Sequence, residues 1–301
     1  MATHSRSKQT ASACESFQDI FKHRIRELQS SQEMDMLKVP SPGGEMKMLQ
    51  GKHFHYLPEM FIQLGGVSEM NMPDESIRLM PGDICIVPSG VPHEEYVDAT
   101  ETPFSNLVVS FRHKEVALHI AGESSSTPHF PRAERAESYR VRDGKKYARY
   151  CNDMSEMYWL KTAESQSAVR GLMLAFFSEI YIIMASGRPE KISDHPTIAM
   201  CKQLVEARIS DAELNVASLA RRMRCSADYL SHFFRKHTGQ RLKAYINSRR
   251  LEMAAEILKT ANLTVSEIAR ICGYSDPGYF IRLFRSHTGK TPLKFRTGAI
   301  Q

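Results

Sequence analysis

Val216–Gly239 reads VASLARRMRCSADYLSHFFRKHTG, and Val265–Gly289 reads VSEIARICGYSDPGYFIRLFRSHTG. Val216, Ala220 and Arg221 recur 49 residues later as Val265, Ala269 and Arg270, and Tyr229, Phe234, Arg235, His237, Thr238 and Gly239 recur 50 residues later as Tyr279, Phe284, Arg285, His287, Thr288 and Gly289. A self-match at a fixed period marks a duplicated structural unit. The step from 49 to 50 puts one additional residue in a turn between two helices, where a chain tolerates it. Each copy carries its own boundary signals. Asn215 and Thr264 are cap residues, and Thr264 with Glu267 spells a capping box. Ser226 and Asp276 cap the following helix, Pro277 fits its first position, and Gly239 and Gly289 stop it in the left-handed conformation. Gly273 marks a tight turn, so each copy reads as helix, turn, helix, stop.

The second helix of each copy has two faces. Tyr229, Leu230, Phe233 and Phe234 are expected to pack inward and leave Asp228, Ser231, His232 and Arg235 outward. In the other copy Phe280, Leu283 and Phe284 pack, leaving Gly278, Ile281, Arg282 and Arg285 outward. The surrounding charge gives those faces a partner. His195–Gln301 holds 18 Lys plus Arg against 8 Asp plus Glu, a net of +10, whereas residues 1–194 hold 22 against 26, a net of −4. A basic compact segment joined to a mildly acidic one suits a polyanion-binding module attached to a different kind of domain. A major groove admits one helix, Arg holds guanine O6 and N7 bidentately, and a residue such as Ile281 touches a thymine methyl.

The run Cys272-Gly-Tyr-Ser-Asp-Pro-Gly-Tyr-Phe-Ile-Arg-Leu-Phe-Arg285, closed by Gly289-Lys-Thr-Pro-Leu-Lys-Phe-Arg296, resembles the AraC/XylS family of transcription regulators over about His195–Arg296. The resemblance implies an all-α DNA-binding domain of seven helices over 195–301. Its two helix-turn-helix units, about 216–238 and 265–288, would be joined by a long helix at about 242–259 and enter two adjacent major grooves of double-stranded DNA. Positions matching the family's base-contacting sites are Asp228, Ser231 and His232 in the first unit and Pro277, Gly278, Ile281 and Arg282 in the second. Phosphate contacts are expected from Arg235, Lys236, Arg285 and Lys290. The first unit departs from the pattern: Arg224-Cys225 replaces Gly-aromatic, and Leu242 stands where Pro292 stands in the second. Activation through RNA polymerase by a homodimer is the outcome the family implies.

Upstream, Pro40, Pro42-Gly43-Gly44, Gly65-Gly66, Pro73, Pro81-Gly82, Pro88 and Pro92 separate short apolar runs, which implies short strands with turns between about Met34 and Phe111. Residues 60–64, 84–87 and 106–111 have strand length and composition, and their spacing suggests a sandwich or barrel. His53 and His55 share one face of a strand, and with Glu59, Gly66, Gly82, Pro88, Gly90 and His93 their spacing resembles the two cupin motifs. The resemblance implies a cupin-like barrel over 34–140. There His53, His55, Glu59 and His93 would line an effector pocket for a sugar or other metabolite, or hold a divalent metal. Lys47 and Val97 replace a glycine and an asparagine of those motifs, which argues against turnover.

Residues 1–33 read as a flexible leader without signal or anchor, and 141–190 as a helical packing or dimerisation region. Within it Val169, Leu172, Met173, Phe176, Phe177, Ile180, Ile183 and Met184 form one wide apolar stripe. The Ala168–Met184 stretch is interrupted by Arg170, Ser178 and Glu179 and falls short of a membrane span, so no membrane partner is expected. Glu190–His195 reads as a linker. Six scattered cysteines without a CxxC pair suit a reducing cytoplasm, and a hydrophobic fraction of 42% is ample for two cores. The expected fold is thus a multi-domain α and β chain, a barrel with helices followed by an all-α domain. The expected function is an effector-responsive regulator and not an enzyme. A cupin metalloenzyme fused to a DNA-binding domain and an effector-independent DNA binder stand as alternatives.

Overall fold

The structure is a computed structural model, described here for residues 16–31, 34–42, 58–97, 103–112, 115–123, 132–186, 191–192 and 195–297. In chain order the elements are α1 (Phe17–Ser30), β1 (Leu37–Lys38), β2 (Glu59–Gly65), β3 (Ser68–Asn71), β4 (Ser76–Leu79), β5 (Ile84–Val87), β6 (Glu94–Val97), β7 (Phe104–Arg112), β8 (Glu115–Glu123) and β9 (Arg132–Arg140). Then follow α2 (Gly144–Leu160), α3 (Ala163–Ala185), β10 (Lys191–Ile192), α4 (Pro196–Ala207), α5 (Val216–Arg222), α6 (Ala227–Thr238), α7 (Leu242–Thr260), α8 (Val265–Ile271), α9 (Pro277–Thr288) and α10 (Pro292–Thr297). The chain divides into two compact units, a sheet-rich one ending at Ile192 and a helical one built on Ser193–Gln301.

Among the described residues of the sheet-rich unit, seven strands run in the order β1-β5-β2-β7-β8-β9-β10 and three more in the order β4-β3-β6. The expected strands at 60–64, 84–87 and 106–111 form, as β2, β5 and β7. No closed barrel forms among the described residues, because the strands stay divided between these two sheets. The two-residue period of β2 and β7 sorts their side chains. Met60, Ile62, Leu107, Val109 and Phe111 join the helices in one core, while Gln63 and Asn106, which are register partners, take the opposite face. The expected linker contributes β10, which pairs with β9.

Residues 1–33 are expected to be a flexible leader, but Phe17–Ser30 form a core helix. Phe17, Ile20, Phe21 and Leu28 are buried, and Ser16 and Asp19 make a capping box. Phe21 meets Phe177 edge to face at 5.4 Å. Arg170 Nε donates to the Leu28 carbonyl at 2.8 Å and Gln18 Nε2 to that of Met184 at 3.0 Å, so α1 lies antiparallel along α3. The 23 residues of α3 exceed the expected stretch and are long and apolar enough, by length and composition, to cross a membrane. Val169, Met173, Phe176, Phe177, Ile180 and Met184 are nevertheless buried in the core shared with α1 and α2, which accounts for most of the apolar stripe. Cys85, Cys151, Cys201 and Cys272 are buried free thiols.

The helical unit holds seven helices among the described residues, and its duplication persists at the level of single bonds. The Asn215 and Thr264 side chains accept from Ser218 N and Glu267 N in matching capping boxes. Cys225 N donates to the Ala220 carbonyl at 3.0 Å and Tyr274 N to that of Ala269 at 2.9 Å. Thr238 Oγ1 donates to Phe234 O at 2.7 Å, and Thr288 Oγ1 to Phe284 O at 2.8 Å. Four residues separate α5 from α6 and five separate α8 from α9, so the additional residue lies in the second turn as expected. Gly239 and Gly289 end α6 and α9 at φ 75° and 76°.

In the first turn Arg224 occupies the place of Gly273 and takes φ 54°, against 74° for the glycine. A left-handed conformation costs a side-chain-bearing residue about 1–2 kcal/mol, partly offset by the greater freedom glycine has in the unfolded chain. Arg224→Gly is therefore expected to stabilise the helical unit by about 0.5–1 kcal/mol. The midpoint of urea unfolding checks this, and a lowered midpoint would refute it.

Candidate nucleic-acid interface

Leu230 and Phe234, one turn apart, bury the inner seam of α6, as Phe280 and Phe284 do in α9. Those seams fix which side chains face out. Asp228, His232, Arg235 and Lys236 are exposed and Ser231 is half-buried on the first unit. On the second, Gly278, Ile281, Arg282, Arg285 and Lys290 are exposed and Pro277 is half-buried. Tyr229 departs from expectation: it is 52% exposed instead of packed inward. It sits one helical step off the Leu230–Phe234 seam and stacks on Phe233 along the flank, with centroids 5.5 Å apart.

The first unit's outward face continues into an open hollow of about 360 Å³ lined by Asp228, Ser231, His232, Arg235, Arg241 and Lys243. Arg241 and Lys243, at the start of α7, are exposed cations that sequence reasoning passed over, because they lie outside the repeated segment. Cations at the ends of α6 and α9 have a structural use as well. Arg235, Lys236 and His237 occupy the last turn of α6, and Arg285 and His287 that of α9, where positive charge offsets the helix dipole.

Other basic residues are internal and unavailable to a polyanion. Arg249 Nε donates to Glu206 Oε1 at 2.7 Å and its Nη1 to Glu252. Burial works against its charge, but Glu206, together with Glu252 and Tyr245, outweighs burial and holds its pKa above the usual range. Arg296 Nη2 donates to the Leu263 carbonyl. Arg250, 6% exposed, donates to two carbonyls, Ile209 O at 3.0 Å and Asp211 O at 2.5 Å, and burial lowers its pKa.

Of the expected sensor residues, His53 and His55 lie outside the described residues. Glu59 opens β2, partly buried, opposite Val87 and Ser110. His93 is buried, its Nδ1 3.0 Å from the Val91 carbonyl. No three metal-binding side chains converge among the described residues. Instead, a polar cluster joins the two sheets. Asn106 Nδ2 donates to Glu95 Oε1 at 2.5 Å, and Ser68 Oγ donates to Gln63 Oε1 at 3.1 Å. Gln63, Ser68 and Asn106 are buried, and Asn106 Oδ1 has no partner among the described residues. Burial pushes the Glu95 carboxyl up to about 8; a bond from Ser68 works against the rise, and the Glu59 charge adds to it. Sequence reasoning missed this cluster because single polar residues inside apolar strands carry no motif.

A family model described as a helix-turn-helix domain matches residues 219–298. The HTH-type transcriptional regulator YijO of Escherichia coli is 27% identical over 218 residues, covering 72% of this chain and 74% of that one. The arabinose operon regulatory protein of Salmonella typhimurium is 30% identical over 96 residues, 32% of this chain and only 34% of that protein. A solved C-terminal domain of the response regulator yesN from Fusobacterium nucleatum is 30% identical, covering 32% of this chain and 93% of its own, with a TM-score of 0.32. The matched segment spans all but the first three residues of the first unit, then α7, the whole second unit and α10, so the chain carries a helix-turn-helix domain at residues 219–298.

Proposed function

We propose that the protein is a cytoplasmic, sequence-specific transcription regulator that reads two adjacent major-groove segments of double-stranded DNA. One observation carries this reading: two units of the same build present differing outward faces from a segment of net charge +10. Asp228, Ser231 and His232 would read one segment, and Pro277, Gly278, Ile281 and Arg282 the other. Arg235, Lys236, Arg285 and Lys290, with Arg241 and Lys243, would hold phosphates and supply most of the affinity.

The domain reading that goes with it assigns 195–301 to DNA and 34–140 to sensing an effector. It leaves 141–190 for packing and for contact with a second copy of the chain, and the outcome is activation with RNA polymerase. The bonded polar cluster of Gln63, Ser68, Glu95 and Asn106 supports a sensing role, since buried polar side chains with spare hydrogen-bonding capacity suit a small polar molecule. A relative named for the arabinose operon supports a sugar or other metabolite as that molecule. Recognition of an effector would make the chain a regulator and not an enzyme.

Selection of bound duplexes from a randomised pool tests the reading, with a two-part motif as the expected product. Arg282→Ala is expected to cost about 1–3 kcal/mol and to relax preference at one base pair within the second part of that motif. An unaltered motif after this substitution would remove Arg282 from the reading face.

A further inference from the structure

Arg250 has no place in the outward faces, yet it is a buried cation that touches the second helix-turn-helix unit and the segment leading into the first. It sits midway along α7, the helix that joins them. On one side its Nε and Nη2 donate to the Ile209 and Asp211 carbonyls, in the segment leading into α5. On the other its guanidinium lies 5.5 Å from the Tyr274 ring centroid, in the turn between α8 and α9. The Gly273 backbone approaches so closely that an added Cβ would fall 2.7 Å from Nη2 and 2.9 Å from Cζ and Nε.

A guanidinium is planar, and its donors form a rigid fork. Turning the first unit together with the segment that leads into it would break the two carbonyl bonds, and turning the second would lose the ring contact and close on Gly273. We infer that Arg250 is a positioning residue that fixes the spacing of α6 and α9 and thereby selects the separation of the two DNA segments the protein accepts. The inference rests on the two-groove reading above. One base pair more or less between segments displaces the second by about 3.4 Å along the duplex and about 35° around it, given about 10 base pairs per 34–36 Å turn. A pair of helices held rigidly cannot follow such a displacement, whereas a loosened pair can.

The experiment uses the full chain and duplexes built on the selected motif. One set keeps the native separation, two sets change it by one base pair in either direction, and a fourth holds one segment only. The native chain is expected to lose tenfold or more in affinity at either altered separation. Arg250→Lys and Arg250→Met are expected to lose threefold or less, with affinity for the single segment unchanged. Tyr274→Leu keeps the guanidinium and its carbonyl bonds while removing the ring, and it supplies the same comparison if the Arg250 variants do not fold. Equal discrimination by native and folded variant chains would overturn the role of Arg250 while leaving the two-groove reading intact. A native chain indifferent to separation, or with equal affinity for one segment and for two, would instead overturn the two-groove reading.

Discussion

Gly273→Ala is expected to destabilise the helical unit by about 2–5 kcal/mol, more than substitution of its other described glycines, through two additive costs. The residue holds φ 74°, which an alanine adopts at about 1–2 kcal/mol. The new methyl group would also meet the Arg250 guanidinium at 2.7 Å, and overpacking of that kind costs about 1–3 kcal/mol. A flexible side chain would swing aside cheaply, but this one is pinned by the Ile209 and Asp211 carbonyls. Gly289 provides the control. It has φ 76° with open space around the added Cβ, so Gly289→Ala should carry the conformational cost alone, about 1–2 kcal/mol. For a domain of this size each kcal/mol moves the melting temperature by about 4–8 °C, so the two variants should differ by at least about 4 °C in calorimetry. Equal melting temperatures would show that the guanidinium yields. A double-mutant cycle with Arg250→Lys isolates the steric part, which should shrink when the fork is gone.

The second large effect is ionic. Six exposed cations, Arg235, Lys236, Arg241, Lys243, Arg285 and Lys290, make up the phosphate-contacting set proposed above. Six neutralised phosphates give a slope of about −5 in log affinity against log salt, so raising salt from 50 to 200 mM is expected to weaken binding about 10³-fold. Each of Lys236→Ala and Lys243→Ala should flatten that slope by about 0.9 and weaken all sequences alike. Fluorescence anisotropy on one duplex at four salt concentrations measures it. A slope near −2 would confine phosphate contact to a minority of the six.

The helical unit was largely legible in the sequence because its signals are local. Asn215, Ser226, Thr264 and Asp276 cap where a cap residue precedes an apolar-periodic run, and Gly239 and Gly289 stop where a helix pattern ends. What escaped is what depends on distant partners. Arg250 looks like one more surface cation until the carbonyls of Ile209 and Asp211, about forty residues upstream, turn out to face it. Tyr229 looks like a core aromatic beside Leu230, and only the packing of α6 shows it on the flank.

The sheet-rich unit was read less well for the same reason. The strand β9 spells RAERAESYR, whose charges disguise a nine-residue strand paired with β8. The helix α1 is mean-hydrophilic, and its apolar side shows only as Phe17, Ile20, Phe21 and Leu28 at helical spacing. The Gln63–Asn106 pairing is a matter of register between β2 and β7, which no local pattern encodes.

The two copies of the repeat have kept their scaffold and diverged on the surface: Asp228, Ser231 and His232 on one helix answer to Gly278, Ile281 and Arg282 on the other. A reader built from unlike halves gives its target a head and a tail. On the two-groove reading proposed above, inverting the site within a promoter would turn the bound molecule end for end along the duplex, and a single copy would distinguish upstream from downstream without help from a palindrome.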